Sequence, residues 1–350
     1  MIYDYLIVGA GLTGATLARL LTDKGNRILV IDKNDFIGGA CYDKIMYGIP
    51  VSQFGVHAFH TNYKEVWNFV NGFTDFSVYN YRVKANWWDK YYSLPINLMI
   101  LSQLGIASTP QQAQEYFKNL RPGKGDNFEE VAINTIGEEL YWKFFYYYTK
   151  KQWGVEPEEL PAFIFNRLPI RYNLDDRYFS DQYQGMPIYG YSDLINNLLE
   201  GIEVKLKTPF DKSFAHYTKL IYCGSIDEYF DYRYGKLDYR SVEHEYIVSD
   251  EDNFGAAAIH YTSFGIKHTR IITFNHLYPN LVGDKFISVI ETPNSTGTPF
   301  YPVPTAKNID LYKQYTDIKT DTIFAGRLGR YKYYNMDTAI KEAMNLAEAL

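Results

Sequence analysis

Near its first residue the chain runs Asp4-Tyr5-Leu6-Ile7-Val8-Gly9-Ala10-Gly11-Leu12-Thr13-Gly14, a G-x-G-x-x-G motif directly after an apolar run. The residues from Ile2 to Val8 are mostly apolar and do not alternate, which predicts a strand buried on both faces. Residues 15–21 then predict a helix, and residues 27–31 a second apolar strand. In such a β-α-β unit the glycines give a tight turn, a close approach of backbone to pyrophosphate, and close helix–strand packing.

An acidic residue ends the second strand of this unit. Asp32 lies 18 residues beyond Gly14 and is placed to accept hydrogen bonds from ribose hydroxyls. The helix N-terminus supplies amide groups and a partial positive charge for phosphates. The unit therefore predicts a dinucleotide-binding domain of the Rossmann type.

A second pair of glycines favours FAD over NAD. Gly38-Gly39-Ala40 follows Asp32 closely and lets the chain pass near the cofactor again, a combination typical of flavin enzymes of the glutathione-reductase type. No second glycine fingerprint for a nicotinamide cofactor follows, so we expect an external electron donor such as NAD(P)H or a reductase. The cofactor contacts predicted here are Gly9, Gly11, Leu12, Thr13, Gly14, Asp32, Lys33, Gly38, Gly39 and Ala40.

Composition and charge argue against several classes of protein. The 350 residues include 35 Lys and Arg against 41 Asp and Glu, a net charge of −6, which argues against a nucleic-acid binder. The charged fraction of 22% argues against disorder. No apolar run is long enough for a membrane span, and no secretory signal is visible. Two distant cysteines make neither a disulfide framework nor a zinc pattern. We expect a cytoplasmic enzyme or binding protein.

The remaining chain predicts three structural regions. Helical patterns run from Leu98 to Tyr148, with helices starting at Pro110, Asn127 and Gly137, and short strands follow at 256–261 and 270–274. We predict an α/β fold in which a Rossmann-like FAD-binding domain carries an inserted helical domain and an antiparallel β-sheet domain. The predicted segments are 1–76, 191–240 and 318–350 for the FAD-binding domain, 98–150 for the helical domain, and 77–97, 151–190 and 241–317 for the sheet domain.

Two histidines three residues apart are further candidates. His57 and His60 follow Gly55, but no third convergent ligand stands nearby, so we expect no metal site. We predict that one of them lies at the flavin edge and count both as cofactor contacts. His57 also suits a hydrogen-bonded core histidine.

Several short segments along nearly the whole chain form a recognisable set. They are Phe59-His60-Thr61-Asn62, Tyr148-Thr149-Lys150-Lys151-Gln152-Trp153-Gly154, Tyr178-Phe179-Ser180-Asp181, Tyr183-Gln184-Gly185, Tyr301-Pro302-Val303, Gly326-Arg327-Leu328 and Tyr331-Lys332-Tyr333-Tyr334. With the glycine motif, this set resembles the UDP-galactopyranose mutases, a family of bacterial flavoenzymes.

The resemblance implies an isomerase that interconverts UDP-galactopyranose and UDP-galactofuranose with no net redox change. In such enzymes reduced FAD is the active form, and its N5 atom forms a covalent adduct with the sugar while UDP leaves. The resemblance also implies UDP-galactose as substrate, a homodimer, a cytoplasmic location and a role in cell-surface polysaccharide synthesis.

Site residues follow from the same resemblance. The implied catalytic residues are His60, packed close to the flavin, and Arg167 and Arg270, which stabilise the departing diphosphate. The implied substrate-binding residues are Arg167 and Arg270 again, together with Tyr148, Trp153, Tyr178, Tyr301 and Tyr333. Further implied FAD contacts are Gly224, Arg327, Asn335 and Met336.

The chain departs from the family pattern at three positions. Asn335 stands where the family usually has Asp, Tyr81 stands in place of an Asn that contacts substrate, and Arg330 adds a charge. These changes leave the exact sugar open, so a modified nucleotide hexose such as UDP-N-acetylgalactosamine or a 6-deoxyhexose is an alternative. The sequence also leaves open an FAD-dependent oxidoreductase of the amine-oxidase type and a flavin-binding protein without catalysis.

Overall fold

The structure, a computed structural model, describes residues 2–118, 120–167 and 169–350, without the side chains of Asn166 and Arg167. The strands are β1 (Tyr3–Val8), β2 (Ile28–Ile31), β3 (Asp43–Met46), β4 (Ile49–Ser52), β5 (Phe59–Thr61), β6 (Phe76–Val78), β7 (Val83–Trp87), β8 (Lys90–Leu94), β9 (Tyr183–Pro187), β10 (Glu203–Lys205), β11 (Tyr217–Tyr222), β12 (Tyr239–Ser249), β13 (Ala258–Tyr261), β14 (Arg270–Thr273), β15 (Phe286–Asn294), β16 (Tyr301–Pro302) and β17 (Ile323–Phe324).

The helices follow in the same chain order. They are α1 (Leu12–Asp23), α2 (Lys64–Asn71), α3 (Leu98–Gln103), α4 (Pro110–Lys118), α5 (Phe128–Ile136), α6 (Glu138–Phe144), α7 (Tyr146–Trp153), α8 (Tyr191–Leu198), α9 (Ile226–Tyr229), α10 (Ala306–Thr316), α11 (Gly326–Gly329) and α12 (Met336–Ala349). Short 3₁₀ turns lie at Gly39–Cys41, Pro157–Glu159, Ala162–Arg167 and Phe274–His276. Within the described ranges, no helix is long and apolar enough to cross a membrane.

The first sheet carries the glycine motif. Its five strands are parallel and run in the order β10-β2-β1-β11-β17, with β1 in the middle. Ile7 of β1 packs in the core cluster that includes α1, and Leu6 packs in a separate cluster with Leu220 and Tyr222. The prediction of a strand buried on both faces is therefore confirmed, as is the α/β fold with a Rossmann-like unit.

The second sheet is larger and mostly antiparallel. Its seven strands run in the order β16-β12-β15-β14-β13-β7-β8. One neighbouring pair, β7 with β13, is parallel, an arrangement that requires a long connection rather than a hairpin between the strands. The sheet predicted as antiparallel thus contains one parallel pair.

Two helices of the helical region begin where their capping residues predict. Helix α4 begins at Pro110, after a threonine whose hydroxyl accepts the backbone N–H of Gln112 at 3.2 Å. Helix α5 begins after Asn127, whose side chain accepts the N–H of Glu130 at 2.9 Å. The single helix predicted from Gly137 is instead two helices, α6 and α7, which break where the buried Phe145 ring packs on another phenylalanine.

The predicted segments agree with the first sheet but not with a three-stranded sheet in the order β5-β9-β6, which pairs β5 of segment 1–76 with β9 of segment 151–190. All five strands of the first sheet fall within segments 1–76, 191–240 and 318–350. The predicted boundary at residue 150 falls inside α7. The division into three domains itself stays a prediction.

Candidate functional site

The glycine motif forms a tight cradle at the end of β1. Gly9 has φ +110°, a conformation that glycine adopts readily. A Cβ on Gly14 would lie 1.9 Å from the carbonyl oxygen of Gly9, so only glycine allows α1 to start this close to β1. The first N–H groups of α1 lack intrahelical partners, and no side chain caps them. Leu12 and Thr13 therefore begin a helix whose exposed amides suit an anion.

Two later segments return to this cradle, as the sequence predicts for a flavin cofactor. The N–H of Gly38 donates to the carbonyl of Ala10 at 2.8 Å, and Gly38 forms an isolated bridge with Gly11. A Cβ on Gly326, at the start of α11, would lie 3.2 Å from the hydroxyl of Thr13. Gly39 and Ala40 continue from Gly38 in a 3₁₀ turn. The end of β11, which precedes Gly224, lies against β1.

Asp32 is fixed beside the cradle. Its carboxylate oxygens accept the N–H groups of Ala10 and Asn34, each at 2.8 Å. The neighbouring Lys33 points outward, since its side chain is 62% exposed and pairs with Glu228 at 3.4 Å. The backbone of Lys33 thus lies near the predicted ribose position while its ammonium group faces solvent.

A cavity of about 620 Å³ lies beside the cradle and is lined by residues from distant segments. Eleven predicted site residues line it: His57, His60, Tyr148, Trp153, Tyr178, Arg270, Tyr301, Arg327, Tyr333, Asn335 and Met336. Predicted catalytic, substrate-binding and cofactor-binding residues therefore meet in one cavity. The side chain of Arg167 lies outside the described residues, so its predicted role stays a prediction.

Arg270 gives the cavity a fixed positive charge. It lies opposite Glu291 in the β14–β15 register, and its Nε donates to the Glu291 carboxylate, which is only 1% exposed. Burial is the largest single influence and lowers the pKa of Arg270, but Glu291, together with the neighbouring tyrosines, raises the pKa of the guanidinium well above its ordinary value. The same carboxylate accepts the N–H of Val56 at 3.3 Å. The cation is thus held by a counterion that is itself anchored.

Aromatic rings build one wall of the cavity. Tyr148, from α7, stacks on His260 with ring centroids 4.7 Å apart and planes 15° apart. Tyr178 meets the same histidine edge-on at 5.8 Å. Burial, followed by the charge of Arg270, lowers the pKa of His260 to about 3, so its ring is neutral. The three rings form a rigid surface suited to a planar base.

His60 is oriented from two sides. Its ring stacks on Phe179 at 3.6 Å, and its Nδ1 lies 2.9 Å from a carboxylate oxygen of Asp181. The other Asp181 oxygen accepts from Asn62 at 2.9 Å. Because a carboxylate accepts hydrogen bonds, Asp181 favours a proton on Nδ1 and thereby fixes the orientation of the ring.

Arg327 orders the residues next to the cradle. Its guanidinium lies 5.4 Å from the ring centroid of Tyr301 and 5.3 Å from that of Tyr333, a distance typical of cation–π contacts. It also donates to the carbonyl of Phe300 at 3.1 Å. Trp153 meets Tyr333 edge-on at 5.4 Å. These rings form a second aromatic wall of the cavity, close to α11.

The residues around the cradle fit a dinucleotide. Gly9 and Gly14 allow α1 to start close against β1, a Cβ on Gly11 would have no neighbour nearer than 3.8 Å, and the start of α11 joins the α1 N-terminus to the cavity. His57 adds a buried Nδ1 without a hydrogen-bond partner in the described structure. Burial, reinforced by the charges of Arg327 and Arg270, lowers the pKa of His57 to about 3, so its ring is neutral. A ring system entering from the cradle would meet this histidine.

Sequence reasoning did not single out four residues of the site. Strand pairing brings His260 into the cavity lining and places Glu291 against Arg270, and no local motif gives a signal for either. Phe179 and Asp181 stand in a segment that the resemblance includes, and only the fold shows that both hold His60.

Comparisons with known proteins give two family models and several relatives that match this chain. A family model described as UDP-galactopyranose mutase matches residues 143–333, and one described as NAD(P)-binding Rossmann-like domain matches residues 7–73. The chain is 37% identical to a dTDP-fucopyranose mutase of Escherichia coli, over 98% of this chain and 97% of the relative. It is 36% identical to a probable UDP-galactopyranose mutase of Klebsiella pneumoniae, over 99% and 94%.

Solved structures give the same fold. A crystal structure of reduced UDP-galactopyranose mutase covers 99% of this chain and 93% of its own, with a TM-score of 0.78 at 15% identity. A redesigned putrescine oxidase covers 99% and 98%, with a TM-score of 0.58 at 12% identity. At such identities the likeness concerns the fold alone, so the amine-oxidase alternative shares no more than the architecture.

Proposed function

The chain belongs to the UDP-galactopyranose mutase family, and from this premise we propose that it interconverts the pyranose and furanose forms of a nucleoside-diphosphate hexose. UDP-galactose is the first candidate substrate. The observation that carries the proposal is one cavity in which a charge-paired arginine, two aromatic walls and the neighbours of a dinucleotide cradle meet.

Arg270 takes the role of stabilising the leaving diphosphate. Loss of a nucleoside diphosphate from the anomeric carbon builds negative charge on the phosphate oxygens, and a fixed cation in a water-poor cavity stabilises that charge. Glu291 holds Nε of Arg270, which leaves the terminal nitrogens of the guanidinium to face phosphate. Tyr178, Tyr301 and, outside the described side chains, Arg167 complete the proposed phosphate contacts.

The base of the nucleotide belongs on the Tyr148 side. Tyr148 is held by its stack on His260, so its ring is oriented before a ligand binds. Apolar side chains of Leu94, Phe144 and Phe145 line the adjoining part of the cavity and exclude water from it. The base would therefore bind mainly through stacking and burial.

The hexose belongs between this nucleotide site and the cofactor. We propose FAD, which in its reduced form supplies a nucleophilic nitrogen at the anomeric carbon. His60 faces the same end, and the contact between Asp181 and Nδ1 fixes the orientation of its ring. Trp153 and Tyr333 close the opposite wall, and Arg327, Asn335 and Met336 lie where the cofactor ring would enter.

A second candidate substrate has a specific observation in its favour. The Escherichia coli relative, 37% identical, is named for dTDP-fucopyranose, and the Klebsiella pneumoniae relative, 36% identical, for UDP-galactopyranose. Because the two sequence identities are nearly equal, they do not distinguish galactose from a 6-deoxyhexose as the sugar of the substrate. We therefore propose dTDP-fucose as the alternative substrate of the same reaction.

The cellular setting belongs to the same proposal. Since the described chain contains a single glycine cradle of this kind, reduction of the cofactor is assigned to an external donor such as NAD(P)H or a reductase. A homodimer, a cytoplasmic location and a supply of furanose for cell-surface polysaccharide follow from the family resemblance alone.

The experiment that tests the proposal is a substrate panel with dithionite-reduced protein. UDP-galactofuranose, dTDP-fucofuranose and the furanose form of UDP-N-acetylgalactosamine are incubated separately, and the pyranose products are separated by chromatography. We expect catalytic conversion of at least one of them by reduced protein only. A protein that binds FAD and UDP yet converts none would be a binding protein, and oxygen-coupled turnover of an amine would indicate an oxidase.

A further inference from the structure

Two residues that line the cavity each carry a buried polar atom that has no hydrogen-bond partner in the described part of the chain. These atoms are Nδ1 of His57 and the phenol oxygen of Tyr81. His57 lies at the end of the cavity assigned to the cofactor, where a ring system entering from the glycine cradle would meet it. Tyr81 is 5% exposed and takes no part in the contacts assigned to the nucleotide or the cofactor.

Tyr81 is held rigidly in the wall that carries His60. Its ring is stacked in offset on Phe179, with centroids 6.0 Å apart and planes 19° apart. Tyr178 meets the ring edge-on at 5.8 Å, and the N–H of Tyr178 donates to the Tyr81 carbonyl at 2.7 Å. Phe179 also stacks on His60, so the same wall links Tyr81 to the hexose end, while Tyr178 and the charge of Arg270 link it to the proposed diphosphate contacts.

The phenol is available as a hydrogen-bond donor. Burial raises the pKa of Tyr81 well above its ordinary value, although the charge of Arg270 works in the opposite direction, so the hydroxyl keeps its proton. A buried hydroxyl without a partner is costly, and a ligand that supplies an acceptor recovers that cost. The hexose is the ligand that offers hydroxyl oxygens at this end.

We propose that Tyr81 is a specificity-determining residue whose phenol donates a hydrogen bond to a hydroxyl group of the hexose. This inference rests on the proposed function and adds to it the feature of the substrate that the cavity reads, a neutral hydroxyl at one ring position. A sugar that lacks this hydroxyl leaves the phenol unpaired, so the cavity discriminates against it.

The first test removes only the phenol oxygen. Tyr81→Phe is expected to lower kcat/KM about tenfold for the nucleotide hexose that the wild type converts, the effect of one net hydrogen bond. The affinity for UDP alone is expected to stay unchanged, because the proposed hydrogen bond goes to a sugar hydroxyl and not to the neighbouring diphosphate. Tyr79→Phe is the matched control, since Tyr79 is two residues away and outside the cavity lining. Unchanged kcat/KM in Tyr81→Phe, or an equal loss of UDP affinity, would overturn the inference.

The second test identifies the hydroxyl. Deoxy analogues of the substrate are compared in the wild type and in Tyr81→Phe. For one analogue, kcat/KM in the wild type is expected to be about tenfold lower than for the full substrate. In Tyr81→Phe the same analogue should cause no further loss of kcat/KM, since both changes remove the same hydrogen bond. If every analogue lowers kcat/KM by the same factor in the variant as in the wild type, the inference is contradicted.

The fold of the variant is checked by its melting temperature. Because Tyr81→Phe removes an unpaired buried group, its melting temperature should equal or exceed that of the wild type. If the variant does not fold, Tyr81→Leu serves instead.

Failure of the proposed function and failure of the Tyr81 role give different results. If the wild type converts no nucleotide hexose, the proposed function fails and the role of Tyr81 fails with it. If the wild type is active and both tests show no effect of the phenol, the role of Tyr81 alone is wrong.

Discussion

Arg270 and Glu291 are two buried charges that depend on each other. A buried cation without its counterion is strongly unfavourable, whereas a paired one can be kept in a cavity with aromatic walls. Their positions opposite each other in β14 and β15 fix the pair through backbone hydrogen bonds. The charge that the reaction needs is therefore part of the fold before any ligand binds.

Replacing Arg270 tests whether this charge acts in catalysis. Arg270→Ala is expected to lower kcat by about 10²–10³, as for the loss of one electrostatic stabiliser. Arg270→Lys keeps a positive charge but loses the bidentate geometry of the guanidinium, so we expect its kcat to lie between those of Arg270→Ala and the wild type at most. Steady-state kinetics of reduced protein measure both. Arg27→Ala, at an exposed position beside Tyr3, is the control. A wild-type kcat in Arg270→Ala would show that Arg270 does not stabilise the leaving diphosphate.

The stacked His260 predicts a dependence of stability on acid. Its pKa is about 3 in the fold against an ordinary value of 6.5, so between these values the unfolded chain binds a proton that the native protein does not. The stability contributed by the neutral ring is present above about pH 6.5 and is lost as the pH falls toward 3.

The variant His260→Gln measures this contribution. Near pH 5 the slope of unfolding free energy against pH should be smaller than in the wild type by about 1.4 kcal/mol per pH unit. Denaturant unfolding at several pH values gives the slope, and His216→Asn, at an exposed position, is the control. An identical slope in His260→Gln and the wild type would show that His260 is protonated in the native state as well.

At the scale of elements, α7 is the helix that brings the nucleotide site together. It carries Tyr148 and Trp153, and its last carbonyls accept hydrogen bonds from Arg240, at 3.0 Å from Nε and 2.9 Å from Nη2. The ammonium of Lys151 donates to the carbonyls of Tyr261 and His268 at 2.7 and 3.1 Å. The buried Arg240 and the half-buried Lys151 thus fasten the end of α7 to the second sheet.

Arg240 is therefore a positioning residue for the nucleotide. Arg240→Ala should raise KM and the Kd for UDP about tenfold and change kcat less, because it displaces Tyr148 without touching the reacting atoms. Calorimetric titration with UDP and steady-state kinetics separate these effects. Lys150→Ala is the control on the exposed side of the same helix. A fall in kcat at unchanged UDP affinity would contradict this role.

The junction of β1 and α1 is the other decisive element. Since a Cβ on Gly14 would meet the Gly9 carbonyl at 1.9 Å, Gly14→Ala must push the helix away from the strand. We expect protein purified without the yellow flavin colour. Gly25→Asn is the control, because Gly25 has open space around it and asparagine tolerates a positive φ. Gly14→Ala with a full complement of FAD would show that the cradle does not hold the cofactor.

Over the whole molecule, the parts that the sequence predicted are those with local signals. The glycine motif, the start of α4 at Pro110 and the start of α5 after Asn127 each depend on neighbours in the chain. Most of the predicted substrate-binding residues were identified from the family resemblance. No local sequence pattern predicts that they meet in one cavity. The pair of Arg270 with Glu291 depends on the β14–β15 register, and the α6–α7 break depends on the packing of Phe145. Such contacts between distant segments are decided only when the chain packs.

The proposed reaction depends on the molecule as a whole, because a dinucleotide cradle and a nucleotide-sugar cavity must cooperate in an isomerisation without net redox change. The most direct measurement is an anaerobic reaction of reduced protein with UDP-galactofuranose or dTDP-fucofuranose, in which product and visible flavin absorbance are recorded together. We predict many equivalents of pyranose per flavin while the absorbance stays that of the reduced form. Product limited to one equivalent per flavin, with reoxidation of the flavin, would contradict this mechanism, and so would equal turnover by oxidised protein.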